Sequence, residues 1–319
     1  MNVTPEPRNA LLPDTICFLN GDYTALKDAK ISVMDRGFIF GDGVYEVLPV
    51  YAGQVFRFDQ HMARLARSLA ELRITNPYTP AQWLEIATKL IATHTYSTGA
   101  EGQNSTQKDG VLPSQLIYIQ VTRGVAPRDH VMLPDLIPTV FVMINKMTMP
   151  SAEQRDQGVA CVTAEDFRWK KAHIKSTSLL GAVFARQISF DAGAVETVMF
   201  RDGYLSEAAA SNVWVVKNGK VLGAPKDNLV LEGIRYGLIE ELCREAGIGF
   251  ELRRISRDEV FSADELLLSS ATKEVLAITK LDDKPVGNGA TRGLPGPVYA
   301  RLYEAYQRAK PAPVTITAA

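Results

Sequence analysis

The chain has 319 residues, a formal net charge of −1, 46% hydrophobic and 22% charged residues, a composition that suits a globular protein with room for two modest domains. The near-neutral balance excludes an electrostatic footprint for nucleic acid or an anionic membrane. No apolar run is long enough to span lipid and the start MNVTPEPRNALLPD lacks the basic-then-apolar plan of a signal peptide, so a cytoplasmic protein is expected.

The Pro-rich residues to Asp14 are expected to be poorly ordered. Asn20-Gly21, set between apolar runs in Cys17–Tyr23, predicts a hairpin. A second hairpin is expected from Tyr45–Tyr51 and Gln54–Phe58, turning at Ala52-Gly53. Asp59 is read as the cap of a helix running through Leu65 and Leu69 to Leu72. Thr79-Pro80 opens another helix to about Tyr96, with Trp83, Ile86, Leu90 and Ile91 as its stripe. Residues 98–114 are polar and without period, which reads as a surface insertion. Strands at Leu116–Val121 and Val140–Ile144 bracket a loop, Gly124–Pro138.

Periodicity then fails over 146–156, the expected linker between an N-terminal domain (1–145) and a C-terminal one (157–319). Beyond it, strands at Val159–Thr163, Glu196–Phe200, Val213–Val216, Gly249–Arg253 and Leu266–Ser269 alternate with helices near Thr177–Phe190, Gly233–Ala246 and Pro297–Arg308. Asp202-Gly203 and Asn218-Gly219 add hairpin turns. Neighbouring hairpins argue for antiparallel or mixed sheets, so the expected class is α+β rather than a doubly wound parallel sheet. The tail from Lys310 is expected to fray.

Several familiar chemistries fall away. Gly41-Asp42-Gly43 begins like a dinucleotide fingerprint, but Glu46 stands where the third glycine belongs and the segment feeds a strand. Three cysteines (Cys17, Cys161, Cys243) lie far apart, and the four histidines form no His-x-x-x-His or His-Glu pair, so no protein-ligated metal is expected. Trp83, Trp169 and Trp214 read as core or half-buried packing. Arg128-Asp129-His130 is more informative. In an extended stretch Arg128 and His130 face one side, and a guanidinium beside an imidazole would trap a carboxylate. A solvated loop with ordinary charge is the other reading of the same spacing. Lys175 is equally open: a desolvated nucleophile or a surface lysine.

A resemblance separates these readings. Asp35-Arg36-Gly37-Phe38, Phe40 through Glu46, His61-Met62-Ala63-Arg64-Leu65, Gln120–Gly124 with Pro127–His130, Arg168-Trp169, Ile174-Lys175-Ser176, Ser206-Glu207, Ser211-Asn212-Val213 and Leu231–Ile234 keep order and approximate spacing. Together they make the chain similar to the fold-type-IV pyridoxal-phosphate enzymes over roughly residues 17–280. The Arg-x-His element resembles D-amino acid aminotransferases within that group. Aminodeoxychorismate lyases and branched-chain L-aminotransferases, the alternatives, share the lysine and glutamate motifs.

The resemblance implies a role for each matched residue. Lys175 would bond the cofactor, pyridoxal 5'-phosphate, and move the substrate proton. Glu207 would stand beside the pyridine nitrogen. Arg64, the Ile234 and Arg235 backbone, and the Ser270-Ala271-Thr272 turn would hold the phosphate. The family's Gly-Ile-Thr-Arg reads Gly-Ile-Arg-Tyr here, so a hydroxyl is lost at Arg235 while its N–H remains. Ser211, Asn212 and Arg168 would lie near the cofactor. Tyr45, Arg128 and His130 would bind the substrate carboxylate and Val47 would line the pocket. The implied partners are D-amino acids and 2-oxo acids. In relatives the Arg-x-His loop reaches the site of a second subunit, which implies a homodimer.

Overall fold

The computed structural model describes residues 15–97 and 113–312. The expected poorly ordered start to Asp14, residues 98–112 of the expected insertion (98–114) and residues 313–319 of the tail lie outside the described residues, whereas Lys310, the expected start of fraying, pairs with Glu274 and Gln307. The chain is α+β and divides into two compact units. Of the described residues, the first unit holds those through Met147 together with Ser176–Ser178 and those from Pro311. The second holds Thr148–Lys175 and Leu179–Lys310.

In the first unit, β1 (Ile16–Leu19) and β2 (Asp22–Ala25) form the expected hairpin, with Asn20 and Gly21 both at positive φ. There follow α1 (Arg36–Phe40), β3 (Gly43–Tyr51), β4 (Gln54–Val55), α2 (Phe58–Glu71), α3 (Pro80–Ser97), β5 (Gln115–Thr122) and β6 (Thr139–Lys146). The strands make one antiparallel sheet in the order β2-β1-β6-β5-β3-β4. Alternation sorts β3 and β5 into two faces. Val44, Glu46, Leu48, Ile117 and Ile119 are buried, whereas Tyr45, Val47, Tyr118 and Gln120 form a half-buried face. Helix α2 packs on β3, and α3 on β1 and β6. Asp59 is not the cap of α2: Arg57 occupies that position in the left-handed conformation. Asp59 sits instead in the first turn, where its charge complements the helix dipole.

The second unit comprises α4 (Ala152–Gln157), β7 (Val159–Glu165), α5 (Leu180–Asp191), β8 (Glu196–Arg201), β9 (Tyr204–Ala208), β10 (Asn212–Lys217), β11 (Lys220–Gly223), α6 (Ile234–Glu245), β12 (Gly249–Leu252), α7 (Arg257–Phe261), β13 (Glu265–Ser270), β14 (Glu274–Leu281), β15 (Lys284–Pro285) and α8 (Pro297–Ala309). Its sheet runs β12-β11-β10-β13-β14-β7-β8-β9, with β15 beside β14. It is mixed, because β7 pairs in parallel with β8 and β14, and β11 with β12, while the other pairs are antiparallel. Strands β8, β10, β13 and β14 are buried along nearly their whole length, so their sequences read as continuous apolar runs.

Three features depart from the sequence reading. Strand β14 is not among the expected strands, and the 146–156 segment contains the start of α4, whose Ser151 and Gln154 form a capping box. Helix α5 begins at Leu180 rather than Thr177. The residues before it are tied elsewhere: Ser176 bridges to Val44, the Thr177 N–H donates to the Gly43 carbonyl, and the Thr177 and Ser178 hydroxyls donate to the Gly41 carbonyl.

Candidate active site

In the second unit the elements converge on Glu207, near the end of β9 and only 5% exposed. Arg168 donates from Nη1 to its Oε1 (2.7 Å), and Asn212 from Nδ2 to its Oε2 (3.0 Å). The Leu231 N–H spans both oxygens at 3.2 Å. Arg168 is itself gripped by Asp166, at 2.9 and 3.0 Å, and Arg201 also pairs with Asp166 (3.1 Å). Burial pushes the Glu207 carboxyl above its ordinary range, against the opposing pull of Arg168 and the Leu231 N–H. A carboxylate offers about four acceptor sites, and three donors meet this one.

Just beyond Leu231, Gly233 caps α6 without any side-chain hydrogen bond, and a helix N-terminus of this kind suits an anion. A Cβ at Gly233 would collide with the Asn212 amide oxygen, so a larger residue there would have to push Asn212 out of its place in the Glu207 network. Ile234 and Arg235 open the helix and are buried. The Arg235 side chain runs to α8, donating to the Tyr306 hydroxyl (3.0 Å). Lys175 is half-buried and immediately precedes the tethered residues Ser176–Ser178.

Ser270, Ala271 and Thr272 form a half-buried turn between β13 and β14. Sequence reasoning missed what anchors it. The Ser270 hydroxyl accepts from the Lys273 N–H (3.1 Å), and Lys273 Nζ pairs with the fully buried Glu196 (2.9 Å). Glu196 also accepts from the Ser211 hydroxyl (2.7 Å), so Ser211 faces this carboxylate. Glu274 closes the turn at φ 59, with its buried carboxylate held by Arg155 (2.9 Å), Gln307 (3.0 Å) and Lys310. No local pattern marks the Glu196 and Glu274 contacts, because their partners lie well apart in sequence.

In the first unit, Tyr45 and Val47 share the half-buried face of β3, and Tyr45 stacks on Tyr118 with ring centroids 5.8 Å apart. Arg128 and His130 are exposed, and both meet the Phe40 ring, at 5.4 and 5.3 Å from its centroid. The structure therefore brings these two together on one ring, in a bend rather than in the extended stretch that the spacing argument assumed. Trp83 and Trp214 are core residues, but Trp169 is 46% exposed, against the packing role expected of it.

Arg64 lies beneath the opposite face of β3. Positions 61 and 64 share one side of α2, and both side chains reach Glu46. Arg64 donates twice to it (2.7 Å each) and His61 Nδ1 lies 2.8 Å away. Burial opposes the charge on Glu46, but Arg64 and His61 outweigh it and hold the carboxyl far below the usual carboxylate range.

The sign of its effect on stability follows. A carboxyl depressed in the folded state contributes stability that is fully present above its unfolded pKa, about 4.3, and is lost as pH falls toward the folded value. Glu46→Gln is expected to cost about 3–5 kcal/mol at pH 7, since Arg64 would stay buried without its carboxylate. Urea unfolding should show a constant gap between native protein and variant above about pH 5, narrowing below it. A gap independent of pH down to about 3 would rule out the ion-pair account.

The backbone is that of solved aminotransferases. It superposes on the branched-chain amino acid aminotransferase from Escherichia coli with a TM-score of 0.75 at 22% identity, covering 92% of this chain and 94% of that one. A fold IV transaminase from Curtobacterium pusillum gives 0.73 at 25% identity, covering 89% and 92%. In sequence, the D-alanine aminotransferase of Bacillus licheniformis is 35% identical over 288 residues, 90% of this chain and 94% of the relative. That of Staphylococcus aureus is 33% identical over 292 residues, 91% and 96%. The amino-transferase class IV family model matches residues 43–281, and the chain belongs to that family. It is an enzyme that moves amino groups between amino acids and keto acids. Among the described residues, no helix is long and apolar enough to cross a membrane, and no group of three His, Cys, Asp or Glu could hold a metal ion.

The family's cofactor is pyridoxal 5'-phosphate, and the residues present fit it. The buried carboxylate of Glu207, fixed by Arg168, Asn212 and the Leu231 N–H, suits the N–H of a protonated pyridine ring. The uncapped start of α6 suits the phosphate, and the two features are joined through Leu231 and Gly233.

Proposed function

We propose that this enzyme transfers amino groups between D-amino acids, such as D-alanine and D-glutamate, and 2-oxo acids, and works in the cytoplasm as a homodimer. The observation that carries the D-specific reading is the Arg128–His130 pair gathered on the Phe40 ring, in a chain whose curated relatives include D-alanine aminotransferases. Large apolar side chains left exposed support the dimer: Leu180, Val183 and Phe184 on α5, and Phe38, Met132 and Ile137 in the first unit.

Bound pyridoxal phosphate supplies an electron sink for the negative charge left at the substrate Cα when its proton departs. Lys175 would hold the cofactor through its ε-nitrogen, and the same amine would carry the proton between the substrate Cα and C4′. Glu207 keeps a proton on the pyridine nitrogen, and Arg168 and Asn212 fix the carboxylate that does so. The N–H groups of Ile234 and Arg235 and the Ser270–Thr272 turn bind phosphate, and Glu196 steadies the Ser211 side of that region. Arg64 joins the phosphate ligands by resemblance alone. Tyr45, Arg128 and His130 bind the substrate carboxylate, and Val47 bounds the side chain.

The anchor decides stereochemistry. Lys175 removes its proton from one fixed face, so the side on which the carboxylate is held selects the enantiomer that presents that proton. Arg128→Ala should lose a charge-assisted contact of about 1.5–3 kcal/mol, a roughly ten- to hundredfold drop in kcat/KM for D-alanine. Arg128→Lys should recover only part of it, because a point charge lacks the fork. An amine without a carboxylate should be a poor substrate for native enzyme and lose little in Arg128→Ala. A native preference for L-alanine, or an equal loss with all substrates in the variant, would overturn this reading.

A further inference from the structure

The segment around α1 does more than support β3. Arg36 is only 2% exposed and makes three contacts at once. Its Nε donates to Asp42 Oδ2 (2.8 Å), its Nη1 donates to the Asp129 carbonyl, and its guanidinium carbon lies 4.9 Å from the Phe40 ring centroid. The Asp129 carbonyl sits between Arg128 and His130, and the Phe40 ring is the one that both of those side chains meet.

Asp42 fixes Arg36 in turn. Its carboxylate also takes Arg123 Nε (2.7 Å) and Nη2 (3.0 Å). Burial opposes its charge, but the hydrogen bonds from Arg123 and Arg36 hold the carboxyl below its usual range, so it stays ionised. Around this bolt the backbone is doubly tied. The Arg36 N–H donates to the Gly124 carbonyl (2.9 Å), Asp35 bridges to Val125, and the Ala126 N–H donates to the Met34 carbonyl (3.4 Å). Gly124 has φ 101, and a Cβ there would collide with the Ile137 carbonyl, so the neck of the loop admits only glycine. The Asp129 side chain closes the tip by accepting from the Val131 N–H (3.0 Å).

We infer that Arg36, with Phe40, is the positioning residue for the Arg128–His130 pair, fixing the direction of both side chains without touching substrate. The inference rests on the carboxylate-binding reading of Arg128 and His130. The planar fork is what the task needs: one donor for Asp42, another for the Asp129 carbonyl, and a flat face for the ring. A lysine would reach one acceptor and leave the loop free to shift, and a misplacement of about 1 Å can cost up to roughly a hundredfold in rate.

The test compares native holoenzyme with Arg36→Lys, Phe40→Leu and Arg128→Ala, using D-alanine and an amine without a carboxylate. Arg36→Lys should lower kcat/KM for D-alanine roughly ten- to hundredfold, mostly through KM, with the amine changed less than about threefold. Phe40→Leu should shift the D-alanine to amine ratio the same way by a smaller factor, and both variants should keep the visible cofactor band. Should Arg128→Ala shift that ratio while Arg36→Lys leaves it at the native value, the inference is overturned. If Arg36→Lys instead loses its cofactor or fails to fold, Phe40→Leu decides, and a native ratio there overturns it as well. An equal loss of both substrates in Arg128→Ala would remove the carboxylate reading, and this inference with it.

Discussion

Lys175→Ala is expected to fold, to lose the visible band of lysine-bound cofactor, and to lose turnover by at least about 10⁴-fold. The size of the effect follows from the double duty proposed for one amine. Without it the cofactor has no covalent anchor, and no group stands ready to carry the proton between Cα and C4′. Folding should survive, because the backbone around Lys175 is held by other residues: Ser176 bridges to Val44, and Ile174 is buried. Borohydride reduction of native holoenzyme followed by peptide mapping checks the assignment directly, and label on any other lysine would sink it.

The same variant tests the assembly. If the Arg128–His130 loop serves the neighbouring subunit, mixing inactive Lys175→Ala with weakened Arg128→Ala should regenerate one intact site per mixed dimer. That site would combine an unaltered Lys175 with an unaltered loop from its partner. Mixtures that remain at the sum of the separate activities, after subunit exchange has been verified, would argue that each chain completes its own site.

What the sequence made legible was local. Asn20-Gly21, Asp202-Gly203 and Asn218-Gly219 each turn a hairpin because their residues accept positive φ, and α3 follows from Pro80 and a stripe at helical spacing. Strand β14 was missed because its turn from β13 lacks such a pair: Glu274 takes the left-handed position, held by Arg155 from α4 and Gln307 from α8. Helix α1 is too short for any period to show. At the candidate site, alternation assumed an extended stretch, whereas Arg128 and His130 lie in a bend and meet through the Phe40 ring, on which spacing was silent. Lys175 could not be told from a surface lysine by spacing, and the resemblance decided between the two readings. The Glu46–Arg64 and Glu196–Lys273 pairs were invisible for a simpler reason. Each joins residues 18 or 77 positions apart, and nothing local records which charges will meet.

The Glu207 network sharpens the other large expectation. Replacing Glu207 by lysine would place a cation beside the ring nitrogen and lower that nitrogen's proton affinity, but it would also face Arg168, now 2.7 Å from the carboxylate. Three cations (the new lysine, Arg168 and Arg201) with Asp166 as their remaining counter-charge should cost stability, so slow turnover in Glu207→Lys would mix two causes. Glu207→Gln is the cleaner probe, since an amide of the same shape can still accept from Asn212 and the Leu231 N–H but carries no charge to hold a proton on the ring. Native Glu207 combines a carboxyl raised by burial with an arginine that opposes the shift. In Glu207→Gln, cofactor binding should persist and single-turnover proton abstraction from D-alanine should slow by roughly 10²–10⁴-fold. Glu207→Asp should recover part of that rate, because it restores the charge at a longer reach. Unchanged single-turnover rates in Glu207→Gln, with cofactor bound, would take Glu207 out of the mechanism and leave the Arg168–Asn212 cluster as a structural feature of β9 and β10.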